Sequence, residues 1–175
     1  MFPRLESFFY PNVEIRSNPN YDSDQPSNPE ISLSGHLIFS SQRIFMADIH
    51  VAIEDAQEKN LPYDLDIQVY GNFASDEDLK VNPGQQEFMP IENLRAVRAT
   101  AGGLLIGGLR EFITTITARQ PWGPYFIPTM KVSELRFDVH FTDELATKSV
   151  SKKKVAPKKL VTSKQSKGKN KKLRT

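Results

Sequence analysis

Few residues of this chain are of types that do chemistry, and their spacing does not suit it. His36, His50 and His140 lie far apart with no HxxxH or HExxH pattern, which fits strand-borne histidines better than a metal site. Asp76, Glu77 and Asp78 crowd one turn, but no glycine-centred calcium loop follows them. The glycine-rich stretch AGGLLIGGLR lacks the Lys-Ser/Thr pair of a phosphate-binding loop, and neither GxSxG nor GxGxxG occurs. With no cysteine there is no thiol nucleophile, disulfide or Cys-ligated metal. The expectation is a protein that is not an enzyme and carries no metal or other cofactor. What remains is surface suited to binding. In QPWGPYFIPTM, prolines and a glycine fix the backbone while Trp122, Tyr125, Phe126, Ile127 and Met130 supply bulky apolar area. This loop either packs between a helix and a sheet or presents aromatics to a groove that takes apolar segments. Asp64 and Asp66, two residues apart on one strand face, either are simply solvated or dock a basic partner.

Alternating apolar and polar residues mark the strands that must position these groups. Phe45, Ala47, Ile49, Val51 and Ile53 share one face, as do Tyr63, Leu65, Ile67 and Val69. The polar run EDAQEKNLP between them suits an antiparallel hairpin with a longer loop. Ile31, Leu33, Leu37 and Phe39 form another strand, weakened by Gly35, and Phe9, Val13 and Ile15 form the first, where Pro11 suits an edge. After Pro83 and Gly84 the period changes. Leu94, Val97, Ala101, Leu105, Leu109, Phe112, Ile113 and Ile116 recur every three or four residues, predicting an amphipathic helix from about Pro90 to Arg119. Gly102, Gly103, Gly107 and Gly108 each cost about 1 kcal/mol relative to alanine inside a helix. The helix is therefore expected to be irregular there or to pack closely on another helix, and its length and apolar content point to an oligomer. Residues 131–145 read as a short helix, although Val132, Leu135, Phe137 and Phe141 also fit a strand.

The overall charge of +2 hides a division. From Lys148 onward there are 11 lysines and Arg174 with no acidic residue, so that segment carries +12 and residues 1–147 carry about −10. The basic segment has too few apolar residues to offset its ordering entropy and is expected to be disordered, leaving a folded domain over 1–146 and a lysine-rich tail over 147–175. No long apolar run or secretory signal is seen, so a cytoplasmic protein without a membrane span is expected.

The stretch Leu109-Arg110-Glu111-Phe112-Ile113-Thr114-Thr115-Ile116-Thr117-Ala118-Arg119, followed by the aromatic loop and VSELRF, resembles the end of the long helix, the loop and the second helix of the SecB export-chaperone family. Asp66-Ile67-Gln68 with Gly71 and Phe73 is similar to that family's fourth strand. The resemblance covers roughly residues 7–145. It implies an α+β fold: a four-stranded antiparallel sheet against a long helix and a short C-terminal helix, assembled through the long helix as a homotetramer, a dimer of dimers. The implied function is that of an ATP-independent holdase, which binds unfolded polypeptide clients in apolar grooves and passes them to the SecA motor. On that reading Trp122, Tyr125, Phe126, Ile127 and Met130, with Phe39, Phe45 and Phe137, line the client groove. Leu105, Leu109, Phe112, Ile113 and Ile116 form the oligomer interface, and Asp64 and Asp66 lie where family members dock the motor.

Departures from the family also count. Asn12 and Arg16 stand near positions where family members carry acidic docking residues, the tail is rich in lysine, and QPWGPYF holds more aromatics and prolines than usual. These favour a divergent relative that chaperones an antitoxin or another single client as an alternative to general export. A further alternative is a nucleic-acid or ribosome-associated adaptor whose tail contacts polyanions.

Overall fold

A computed structural model describes residues 3–25, 27–128, 135–143 and 145. Five strands and one long helix account for the architecture: β1 (Arg4–Ser17), β2 (Ser32–Phe39), β3 (Ile44–Ile53), β4 (Tyr63–Ala74), α1 (Ile91–Thr117) and β5 (Phe137–Phe141). The strands form one sheet in the order β1-β4-β3-β2-β5. β2, β3 and β4 pair as consecutive antiparallel hairpins, and β1 returns to pair antiparallel with β4 at the edge, a Greek-key order. Pro11 lies where the β1 register shifts between Phe9 and Asn12, a position at which its missing N–H costs no central ladder bond.

Alternation decides which sheet face is covered. Ala47, Ile49 and Val51 of β3 and Leu65, Ile67 and Val69 of β4 are buried beneath α1, whose Leu94, Val97, Ala101, Leu105, Leu109 and Ile113 recur at helical spacing on the buried side. Gly71 allows the helix to come close: a Cβ there would lie 2.8 Å from Leu105 Cδ2. The helix runs unbroken through its four glycines, and Gly103 and Gly107 face open space. Among the described residues no second helix packs on these glycines.

The expected short helix over 131–145 is corrected at 137–141, which form β5. This strand pairs in parallel with β2, making the sheet mixed and five-stranded. Two features of the sequence explain it. Phe137 is buried and Val139 and Phe141 are partly so, while Asp138 and His140 face solvent, a period of two. Gly35 supplies the room, since a Cβ at that position would meet the Phe137 ring at 2.9 Å. Residues 131–134, Met130 and the lysine-rich tail lie outside the described residues.

Candidate functional site

Beyond the C-terminal end of α1, the loop of residues 118–128 crosses the polar connections 18–31 and 54–62. The side chains of Thr117 and Tyr63 and the main-chain carbonyl of Asn18 hold it from beneath. The buried Thr117 hydroxyl donates to the Ile113 carbonyl at 2.7 Å and accepts from the Tyr125 N–H at 2.8 Å. Tyr63, at the start of β4, donates from its hydroxyl to the Gly123 carbonyl at 2.9 Å and accepts from the Trp122 N–H at 3.2 Å. The Trp122 indole N–H donates to the Asn18 carbonyl at 2.8 Å. Asn18, itself buried, donates through its side-chain amide to the Ala56 and Leu61 carbonyls. Gly123 turns the chain with φ +75°, a conformation that glycine adopts without strain.

These pins orient the rings. Trp122 meets Tyr21 edge-on at 5.4 Å, and Tyr125 meets Tyr63 edge-on at 5.9 Å. Burial, and secondarily the neighbouring Tyr21, pushes the Tyr125 phenol up to about 12. Its hydroxyl is buried and has no hydrogen-bond partner among the described residues. A cleft of about 290 Å³ opens here, floored by Leu61 and Tyr63 and walled by Trp122, Tyr125 and Phe126. Phe126 also borders a second cleft of about 340 Å³ beside Arg110, Thr114 and Thr115 on α1. The Phe126 ring is thus a ridge between two hollows. It is 68% exposed and Trp122 is 39% exposed, so two large rings meet solvent side by side at the cleft.

The sequence-predicted binding residues separate accordingly. Trp122, Tyr125 and Phe126 come together at the first cleft; Ile127 is buried yet borders the second, and Phe39, Phe45 and Phe137 are buried in the core. Phe39, Phe45, Phe73 and Phe141 pack ring on ring at one end of the sheet. Of the expected oligomer residues, Leu105, Leu109 and Ile113 are filled positions under the chain's own helix; Phe112 stacks on Tyr10 at 4.1 Å and Ile116 is half-buried. The bare side of α1 is carried instead by Gly103, Leu104 and Gly107, with Leu104 47% exposed. Residues that the sequence reading passed over are Asn18, Tyr63 in its hydroxyl role, and Thr117. Tyr63 offered a signal, as the one tyrosine in a row of aliphatic residues.

On the opposite, outer face of the sheet, Asp64 accepts the Ala56 N–H at 2.8 Å. Asp66 accepts from the Asn12 amide at 2.7 Å and lies 3.0 Å from His50 Nε2. The two carboxylates border a cleft of about 500 Å³. All three histidines lie on this face: His36 Nδ1 is 2.8 Å from the buried Asp48 carboxylate, and the His36 and His140 rings are 5.6 Å apart. Among the described residues no three such groups are arranged to hold a metal ion, and no helix is long and apolar enough to cross a membrane.

No protein-family model and no curated protein sequence matches the chain. Solved structures do. A SecB-like chaperone from Mycobacterium tuberculosis, Rv1957, solved in complex with a ChAD peptide from the HigA1 antitoxin Rv1956, superposes with a TM-score of 0.52 at 16% identity, over 74% of this chain and 91% of that one. The fold is SecB-like. A protein of unknown function from Streptococcus agalactiae also aligns, with a TM-score of 0.44 at 7% identity, over 73% of this chain and 97% of that one.

Proposed function

We propose that this SecB-like chain is an ATP-independent holdase that captures extended apolar segments of unfolded polypeptides in the paired clefts on either side of Phe126, with no covalent chemistry of its own. The observation that carries the reading is the exposure of Trp122 and Phe126 on a loop pinned from below by Thr117, Tyr63 and Asn18. A loop already ordered before binding loses little conformational freedom when a client arrives. Burial of client side chains against these rings gives about 25 cal/mol per Å² of apolar area removed from water. Held rigid, the cleft needs no nucleotide-driven opening.

Assembly belongs to the same proposal. The Gly103, Leu104 and Gly107 side of α1, rather than its buried side, forms the contact between copies in a homotetramer, where the close approach permitted by glycine offsets its helix cost. Delivery of clients for export to a SecA motor in the cytoplasm is the general form of this function. Service to one client is the second reading. It is favoured by the structural likeness to a chaperone whose bound peptide comes from an antitoxin.

The test is suppression of aggregation of a chemically unfolded, slowly refolding protein. Trp122→Ala with Phe126→Ala is expected to abolish suppression while the chain keeps a cooperative melting transition, lowered by loss of the Trp122 to Asn18 bond but with the sheet and helix core untouched. Unchanged suppression by the double variant would remove the cleft from the account.

A further inference from the structure

The acidic outer face of the sheet lacks a partner among the described residues, and the chain itself carries a segment of opposite charge. We propose that the lysine-rich segment beginning at Lys148 docks on this face, in the cleft between β1, β4 and the 54–58 loop, and so competes with any external basic partner for the same carboxylates. This inference is independent of client capture, which concerns the other face.

Charge complementarity is the first argument. Six carboxylates, Glu14, Glu54, Asp55, Glu58, Asp64 and Asp66, border the 500 Å³ cleft with Arg16 as its one cation. Arg16 is turned to Glu14 in an ion pair. Glu14 and Asp66 are direct cross-strand partners, as are Arg16 and Asp64, so Arg16 is the one full cation set against three carboxylates of these two strands. Lys59, beside the loop, is shared between Asp55 and Glu30. Against this face the sequence from Lys148 to Arg174 places twelve cations and no anion.

Reach is the second argument. The chain leaves β5 at Phe141, which aligns across the sheet with Phe39, Phe45 and Phe73, whereas the cleft lies at the other end of the sheet, by Ile53 and Leu65. Eight residues along β3 and three strand spacings across the sheet put the two about 30 Å apart. The segment from Phe141 to Lys158 spans up to about 56 Å when extended. Lys158, Lys159 and every later lysine can therefore reach the cleft. Tethering also keeps their local concentration high, so weak individual contacts suffice for occupancy.

Zero-length carbodiimide cross-linking of the full chain, followed by peptide mass spectrometry, tests this. Links from Lys152 to Lys172 are expected to concentrate on Glu54, Glu58, Asp64 and Asp66 over Glu87, Glu92 and Glu111 on the helix side. They are expected to fall about tenfold between low salt and 0.5 M salt, where screening shortens to a few ångströms. Glu54→Gln with Glu58→Gln changes only exposed loop residues and is expected to reduce the links to Asp64 and Asp66 severalfold. Links spread evenly over all surface carboxylates, or links to the cleft that neither salt nor this variant reduces, would overturn the proposal.

Discussion

Two regions of this molecule are equally rich in aromatic rings and do opposite things with them. At one end of the sheet Phe39, Phe45, Phe73 and Phe141 satisfy one another ring on ring, and the first three are buried. At the other end of the fold the loop is held by hydrogen bonds at Trp122, Gly123 and Tyr125, which leave the Trp122 and Phe126 rings open to solvent. Aromatic content therefore does not distinguish a core from a binding surface. What distinguishes them is the anchoring: packing against apolar partners consumes a ring, whereas polar pins under a proline-fixed backbone keep it available.

The comparison can be broken most severely at the sheet end. Phe45→Ala deletes a fully buried ring between Phe39 and Phe73 and is expected to cost about 3–5 kcal/mol, read as a large drop in the denaturant midpoint. Thr117→Val comes next. It leaves the Tyr125 N–H without its acceptor and should cost about 1–3 kcal/mol, while also loosening client capture, which Phe45→Ala leaves intact in the molecules that remain folded. Gly35→Ala should cost about 1–3 kcal/mol through the clash with Phe137. Hydrogen exchange on β5 would show whether that strand lifts from β2 before the rest of the sheet opens.

Much of this organisation is legible in the sequence. The four antiparallel strands and the span of α1 follow from periods of two and of three to four, because each element buries one face against the other. The cleft is legible only in part. Trp122 and Phe126 stand out by type and by their proline-rich setting, yet that setting does not separate them from the buried Ile127 beside them, since burial is decided by which element lies opposite. The polar pins were hidden for a related reason: Asn18, Tyr63 and Thr117 belong to elements far apart in sequence, and their pairing exists only once the sheet has brought β1, β4 and α1 together. β5 was obscured by a five-residue pattern that helix and strand share. The alternation of Phe137, Val139 and Phe141 is too short to decide by itself, and Gly35, which makes room for Phe137, favours the strand.

A smaller effect sharpens the comparison through pH. Burial, and secondarily Tyr21, pushes the Tyr125 phenol from 10.0 up to about 12, and burial raises Tyr63 against the opposing backbone hydrogen bond from Trp122. Between those values the folded state keeps a proton that the unfolded chain has lost. The Tyr125 contribution is intact below pH 10 and disappears as pH rises toward 12, and that of Tyr63 is lost in the same direction. Stability should fall across that window, and Tyr125→Phe should flatten the slope without removing it.

Trp122 is the single tryptophan in the sequence, so its emission reports on the cleft alone. Titration of the full chain with an unfolded client that lacks tryptophan, with complex formation followed in parallel by light scattering, tests the central claim most directly. The account predicts a saturable blue shift and protection from acrylamide quenching that track the scattering signal, as the half-exposed indole is covered. A stable complex that leaves the Trp122 spectrum and its quenching unchanged would contradict it.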